Sequence, residues 1–197
     1  MSRQDRAERT RNLILDAAAE VFEARGFAGA SLSDILARAG VTKGALYFHF
    51  ESKEELAKAL VEEHWTVDPP AAANPIQSVI DLCHAFCDSL RTNIRVRASS
   101  RLVTETDFDR PYPRRWLDMI REFLEAAREA GDLRPELDPV NVTAYVGGAV
   151  LGIQTMSGAL TSRADLRERM TDMWRISLPG MVPPRRLSRF DPAGSRA

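Results

Sequence analysis

The segment Thr42-Lys43-Gly44-Ala45-Leu46-Tyr47-Phe48-His49-Phe50 concentrates four side chains with hydrogen-bond donors around two residues that have almost no side chain. Lys43 can donate to guanine O6 or N7, and Gly44 and Ala45 keep a helix surface low enough to approach a groove floor. Thr42, Tyr47 and His49, with Lys53 just beyond, can donate to phosphate oxygens. Leu46 and Phe50 stand four apart, which predicts an inward face for them. The same spacing also fits an ordinary helical hairpin with a solvated lysine and packed aromatics.

Other chemistry is thinly represented. His49, His64 and His84 are not at metal-binding spacing with acids, and no Gly-x-Ser-x-Gly or phosphate-loop pattern occurs. Cys83 and Cys87, on successive turns of one helix, lack further ligands and read as small core residues. The expectation is therefore a protein without catalytic residues, metal or cofactor. No stretch near the amino terminus reads as a secretion signal, so a reducing, cytoplasmic setting is expected.

Charge restricts how nucleic acid can be bound. The 197 residues carry a formal net charge of -1. Over residues 1–58, Arg3, Arg6, Arg9, Arg11, Arg25, Arg38, Lys43, Lys53 and Lys58 balance nine acids at 5, 8, 16, 20, 23, 34, 51, 54 and 55. Any DNA face must come from sidedness rather than total charge. Arg3, Arg6, Arg9 and Arg11 make a locally basic start that can lie along a backbone, enter a minor groove or simply fray.

The elements that would position these groups follow from proline and glycine. The first 68 residues contain no proline, and later prolines leave helix-permissive blocks at 76–110, 114–134 and 140–178. Runs of alternating β-branched residues are absent, so every block reads as helical. Ile14, Ala17, Ala18, Val21 and Phe22 form one apolar face of a helix that stops near Gly26. Ser31 caps a second helix up to Gly40, Thr42 a third through about Phe50, and Ser52 with Glu55 a fourth toward Val67. Two short helices around Ala39-Gly40-Val41-Thr42, braced by a longer one, match the helix-turn-helix arrangement, whose second helix fits the major groove.

The run Gly40-Val41-Thr42-Lys43-Gly44-Ala45-Leu46-Tyr47-Phe48-His49-Phe50, followed by Ser52-Lys53-Glu54, resembles the DNA-binding segment of TetR-type transcriptional repressors. Within that family it is similar to the γ-butyrolactone autoregulator receptors of streptomycetes, with Trp116, Met173-Trp174 and Gly180-Met181-Val182-Pro183 as further points of likeness. The fold class expected is all-α: a helix-turn-helix DNA-binding domain at 1–52, a helical ligand-binding and dimerisation domain at 53–182 entered by a connecting helix at 52–67, and a mobile basic tail at 183–197. The resemblance implies a homodimer on pseudo-palindromic operator DNA, released by a small apolar effector and acting in the control of antibiotic biosynthesis. A TetR-type regulator of an efflux or catabolic operon, responding to another hydrophobic compound, is the alternative.

The remaining helices have faces suited to pairing and sensing. Asp138 caps with Pro139 at the first helical position, and Val140 to Leu160 is small or apolar almost all round. Ala144, Gly148 and Gly152 recur every four residues, a smooth stripe against which a partner helix can lie; an ordinary monomeric core is the competing reading. The polar residues of this helix make a membrane span a poor fit. After Ser162 as a cap, Leu166, Met170, Met173, Trp174 and Ser177 give the next helix its inner face. Leu82, Phe86 and Ile120, with Leu151, Gln154 and Thr155, can enclose an apolar ligand with polar anchors, or form plain core. The resemblance adds Trp116 as a cover over the ligand and His64 as a polar pocket residue. Ile153 stands where the receptors carry a ligand-facing threonine.

Overall fold

A computed structural model of the chain describes residues 2–64, 74–106 and 111–195, except for the side chains at 3, 63, 64 and 111–114. Among the described residues the elements are α1 (Arg3–Gly29), α2 (Leu32–Ala39), α3 (Lys43–His49), α4 (Lys53–His64), α5 (Pro75–Thr92), α6 (Ile94–Glu105), α7 (Pro111–Glu129), α8 (Pro139–Thr161), α9 (Leu166–Met181) and a 3-10 helix (Pro184–Arg189). The all-α expectation holds, with no strand among them. Packing divides the chain into two compact units, Met1–Thr66 with Thr92–Pro113, and Val67–Arg91 with Arg114–Ala197.

The first unit grows from local signals. Ser2 and Asp5 form a reciprocal capping box at the start of α1. Ser31 Oγ accepts from Asp34 N (3.1 Å), Thr42 Oγ1 from Ala45 N (3.2 Å) and Ser52 Oγ from Glu55 N (3.1 Å), so all three expected N-caps are in place. Gly40 ends α2 in the left-handed conformation at φ 65°. The expected α1 face is buried, as are Leu15 and Ala19 beside it. The wider face follows from what surrounds it: α1 packs on α2, α3, α4 and α6 together.

The boundary expected near residue 52 is not where the packing divides. Leu56, Ala57 and Leu60 of α4 and Ala98 and Leu102 of α6 share one core with Ile14, Phe22, Ile35 and Leu46. The block 76–110 is not one helix but two, because Asn93 interrupts it and caps α6 by accepting from Arg95 N (2.9 Å). Gly26, at φ 70° and ψ 176°, kinks α1 before its last turn. Phe27 N there donates to Glu105 Oε2 of α6 (2.8 Å), and Arg101 donates to Glu23 O (2.6 Å).

The second unit is assembled on α5, whose residues Val79, Leu82, Cys83, Phe86 and Leu90 are buried as the periodicity predicts. Burial pushes both thiols up, Cys87 to about 12, which keeps them neutral. Pro139 opens α8 as expected, with Asp138 accepting from Val140 N (3.0 Å). Ser162 is a correction: rather than capping α9 it ends α8 in the left-handed region at φ 51°. Asp165 precedes α9 and accepts from the Ser157, Thr161 and Arg169 side chains (2.6, 2.7 and 2.7 Å). The inner face of α9 is as expected, and the helix continues two residues past Pro179, where Arg134 NH2 donates to Pro179 O (3.0 Å).

The tail is a second correction. Residues 184–195 are docked rather than mobile: Phe190 is buried, and Arg186 and Arg189 both reach Asp132 Oδ1 (2.6 and 3.1 Å). Asp191 N donates to Gln77 Oε1 (2.9 Å), Ser195 N to Asp81 Oδ1 (2.7 Å), and His84 Nε2 to Pro192 O (2.9 Å). The polar side of α5 is buried because this segment lies on it.

Candidate nucleic-acid interface and effector region

The side chains of α3 divide sharply between core and solvent. Leu46 and Phe50 are buried among α1, α2 and α4 residues, which fixes the helix's roll. That roll leaves Thr42, Lys43, Gly44, Tyr47 and Phe48 exposed, with Ala45 and His49 half-buried. Lys43 Nζ stands 5.7 Å from the Tyr47 ring centroid, so the two donors are neighbours on one turn. Burial and the nearby Arg11 charge lower the His49 pKa, leaving a neutral ring that donates through one nitrogen only. Around α3, Lys43 and Tyr47 thus lie on one flank of the solvent-facing side and Ala45 and His49 on the other, with Gly44 and Phe48 between them.

Lys53 is held within the unit by other groups. Its ammonium donates to the carbonyls of Phe27 (2.8 Å) and Ala30 (3.0 Å) and lies 4.4 Å from the Phe27 ring centroid. These are orphan carbonyls at the end of α1, and a cation is the natural partner for them. The structure thus gives Lys53 a capping role at the end of α1 that its place beside α3 did not suggest. Phe48, which is not among the donors expected from the sequence, is the most exposed of the segment's aromatics at 75%. Its position on the opposite side of the helix from Leu46 and Phe50 is the signal that identifies it.

The expected effector residues separate into two groups. Leu82, Phe86, Trp116, Ile120 and Gln154 are all buried in the second unit, and the Phe86 and Trp116 rings lie 5.8 Å apart. Leu151 and Thr155 are exposed, and Thr155 Oγ1 is occupied by Leu151 O (2.8 Å). Their expected place beside Trp116 does not match that exposure: they stand one turn apart on the exposed edge of α8, where Gln154 Nε2 reaches Thr155 Oγ1 (3.3 Å) from the buried side. The side chain of His64, the last residue of α4, lies outside the described residues.

The outward side of α8 is largely apolar, whereas the exposed residues of α9 set Ile176 among Glu168, Asp172 and Arg175. Val140, Tyr145, Leu151, Met156 and Leu160 are exposed along α8, and Ile176 on α9 is 78% exposed. Ala144, Gly148 and Gly152 lie on the same side, and a Cβ added at either glycine meets nothing within 4 Å. Gly147 faces inward instead, where a Cβ would come within 2.7 Å of Leu117. A groove of about 370 Å³ opens on this part of α8 and α9, lined by Asn141, Val142, Tyr145, Ser177, Gly180 and Met181 among others. None of the residues expected around Trp116 lines it.

Residues 14–60 match the family described as bacterial regulatory proteins, tetR family. The chain is 41% identical over 197 residues to the A-factor receptor protein of Streptomyces griseus, covering 98% of this chain and 71% of that protein. The chain belongs to the TetR family. This TetR-family chain is also similar to a crystallised γ-butyrolactone receptor described as ArpA-like, at 29% identity and TM-score 0.76, with 95% of each chain covered. It matches CprB of Streptomyces coelicolor, solved in complex with its biological operator sequence, at 31% identity and TM-score 0.78 over 93% of this chain and 94% of that one. Among the described residues no helix is long and apolar enough to cross a membrane.

Proposed function

We propose that this TetR-family chain is a dimeric transcriptional repressor that holds a pseudo-palindromic operator and is released from it by a γ-butyrolactone-type signal. The observation that carries this reading is that similarity to the A-factor receptor protein runs through 98% of the chain instead of stopping at α4. Two copies pair through the exposed apolar side of α8 together with Ile176 of α9, and the small-residue stripe of α8 lets helices approach closely. Burying that surface removes six large exposed side chains from water. Pairing also supplies two α3 helices, and two half-sites give the contact area that one short helix lacks.

On each half-site Lys43 serves as the groove-floor donor and Thr42, Tyr47 and His49 as phosphate donors. The chain's near-neutral charge limits non-specific binding, so retention depends on this one face presented twice. The effector occupies the interior around Trp116, Phe86, Leu82 and Ile120, with Gln154 as its polar anchor. It acts by binding one dimer geometry better than the other, and the difference in affinity sets how far release can go. The chain works as a regulator in the cytoplasm, with no catalytic step. Operator release by a synthetic γ-butyrolactone, measured for the wild type and Trp116→Ala, tests this: the variant should hold DNA and fail to let go. Unchanged release from Trp116→Ala would reject the assigned effector site.

A further inference from the structure

Phe48 is the outermost residue of the α3 surface. Successive helical residues are about 100° apart, which puts Phe48 about 180° from the mean direction of the buried pair Leu46 and Phe50. Gly44 and Ala45 lie on either side of it around the helix, and a Cβ at Gly44 would meet nothing within 4 Å. The ring is therefore the furthest-reaching group on that face, standing between two residues too small to reach with it. Its one ring contact of note is edge-on to His49, with centroids 5.0 Å apart at 87°. An exposed phenyl at the centre of a DNA-facing surface has no donor or acceptor with which to read base edges. Pressing it on a phosphate would strip water from charge for no return. The floor of the major groove displays one apolar group, the C5-methyl of thymine.

We infer that Phe48 is a specificity residue that reads a thymine methyl in each operator half-site. This rests on α3 being the recognition helix, and its test keeps the two ideas apart. The operator is first recovered by the full-length wild-type chain from a pool of randomised duplexes. Each thymine is then replaced in turn by deoxyuridine, which keeps the base pair and removes only the methyl. Kd is measured by fluorescence anisotropy for the wild type, Phe48→Ala and Phe48→Leu.

At one position per half-site, the replacement should weaken wild-type binding about 4-fold, and about 15-fold when made in both half-sites. The same replacement should leave Phe48→Ala binding unchanged, with Phe48→Leu between the two. The salt dependence of Phe48→Ala should equal that of the wild type, since no phosphate contact is lost. Because the ring is exposed, the variant's thermal midpoint should match the wild type and serves as the folding control. The inference is overturned if every deoxyuridine operator binds as the parent does, if wild type and Phe48→Ala respond equally, or if the recovered half-site holds no thymine. Recovery of no palindrome at all would instead defeat the reading of α3 as a recognition helix.

Discussion

Replacing Gly26 by alanine tests how the end of α1 is held. At φ 70° and ψ 176° Gly26 occupies a region open essentially to glycine alone, and forcing alanine there costs about 1–3 kcal/mol. The new Cβ would lie 2.5 Å from Glu105 Oε2 and 2.8 Å from an Arg101 guanidinium nitrogen. Both are ends of flexible side chains, so they can swing aside. In doing so Glu105 gives up its hydrogen bond from Phe27 N, worth about 1 kcal/mol at a solvent-accessible site. Alanine returns about 0.4–1 kcal/mol by restricting the unfolded chain. The net expectation is a destabilisation of about 2–3 kcal/mol, read from urea unfolding followed by far-UV circular dichroism with an unchanged m-value. Made in a Glu105→Ala background, the same substitution should cost about 1 kcal/mol less, because there is no carboxylate bond left to lose. Equal effects in the two backgrounds, or a Gly26→Ala protein as stable as the wild type, would refute this account of the kink.

Other consequences are equally open to measurement. Lys53→Ala should lower stability by about 1–2 kcal/mol through the lost carbonyl partners while leaving the salt slope of operator binding unchanged, whereas Lys43→Ala should reduce affinity with little effect on unfolding. A reduced slope for Lys53→Ala would restore the phosphate role to that residue. Burial lowers the His84 pKa, opposed by its bond to Pro192 O and the charges of Asp81 and Asp88 and reinforced by Arg167. The folded state therefore resists a proton that the unfolded chain accepts, so the stability from His84 is lost as pH falls below its ordinary value. The protection of the amides at 190–195, taken relative to their intrinsic exchange rates at each pH, should fall over that range, and His84→Gln should flatten the response. Hydrogen bonds from Ser157 and Thr161, with Arg169 adding to them, hold Asp165 at about 2. That contribution is present above the ordinary carboxylate range and disappears between it and about pH 2, so Asp165→Asn should unfold with a shallower acid limb.

What could be read from the sequence was what neighbouring residues decide among themselves. Ser31, Gly40, Thr42, Ser52 and Pro139 act within one turn of helix, and each does what its type and spacing predict. The Leu46–Phe50 pair likewise sets the roll of α3, and with it the exposed face carrying Lys43 and Tyr47. Where a distant partner decides, the local signal failed. Lys53 reads from its neighbours as a phosphate donor, and only the fold sets the carbonyls of Phe27 and Ala30, more than twenty residues away, beside it. The tail arginines looked solvated because Asp132, which holds Arg186 and Arg189, belongs to another part of the chain. Ser162 carries a capping side chain, but Asp165 takes the hydroxyls of Ser157 and Thr161, and the turn uses Ser162 in the left-handed region. On α8, apolar residues occur nearly all round, so periodicity could not decide that Gln154 points in and Leu151 and Thr155 point out.

The central claim is that one chain couples operator binding to a butyrolactone signal, and it is tested most directly by one titration. The full-length protein is bound to a fluorescently labelled operator recovered by selection, at moderate salt, and a synthetic γ-butyrolactone is added while anisotropy is followed. The account predicts a palindromic operator held as a dimer and a saturable fall in anisotropy to the value of free DNA. Anisotropy that stays at the bound level across butyrolactones of differing side chain, with the dimer still on its operator, would contradict it.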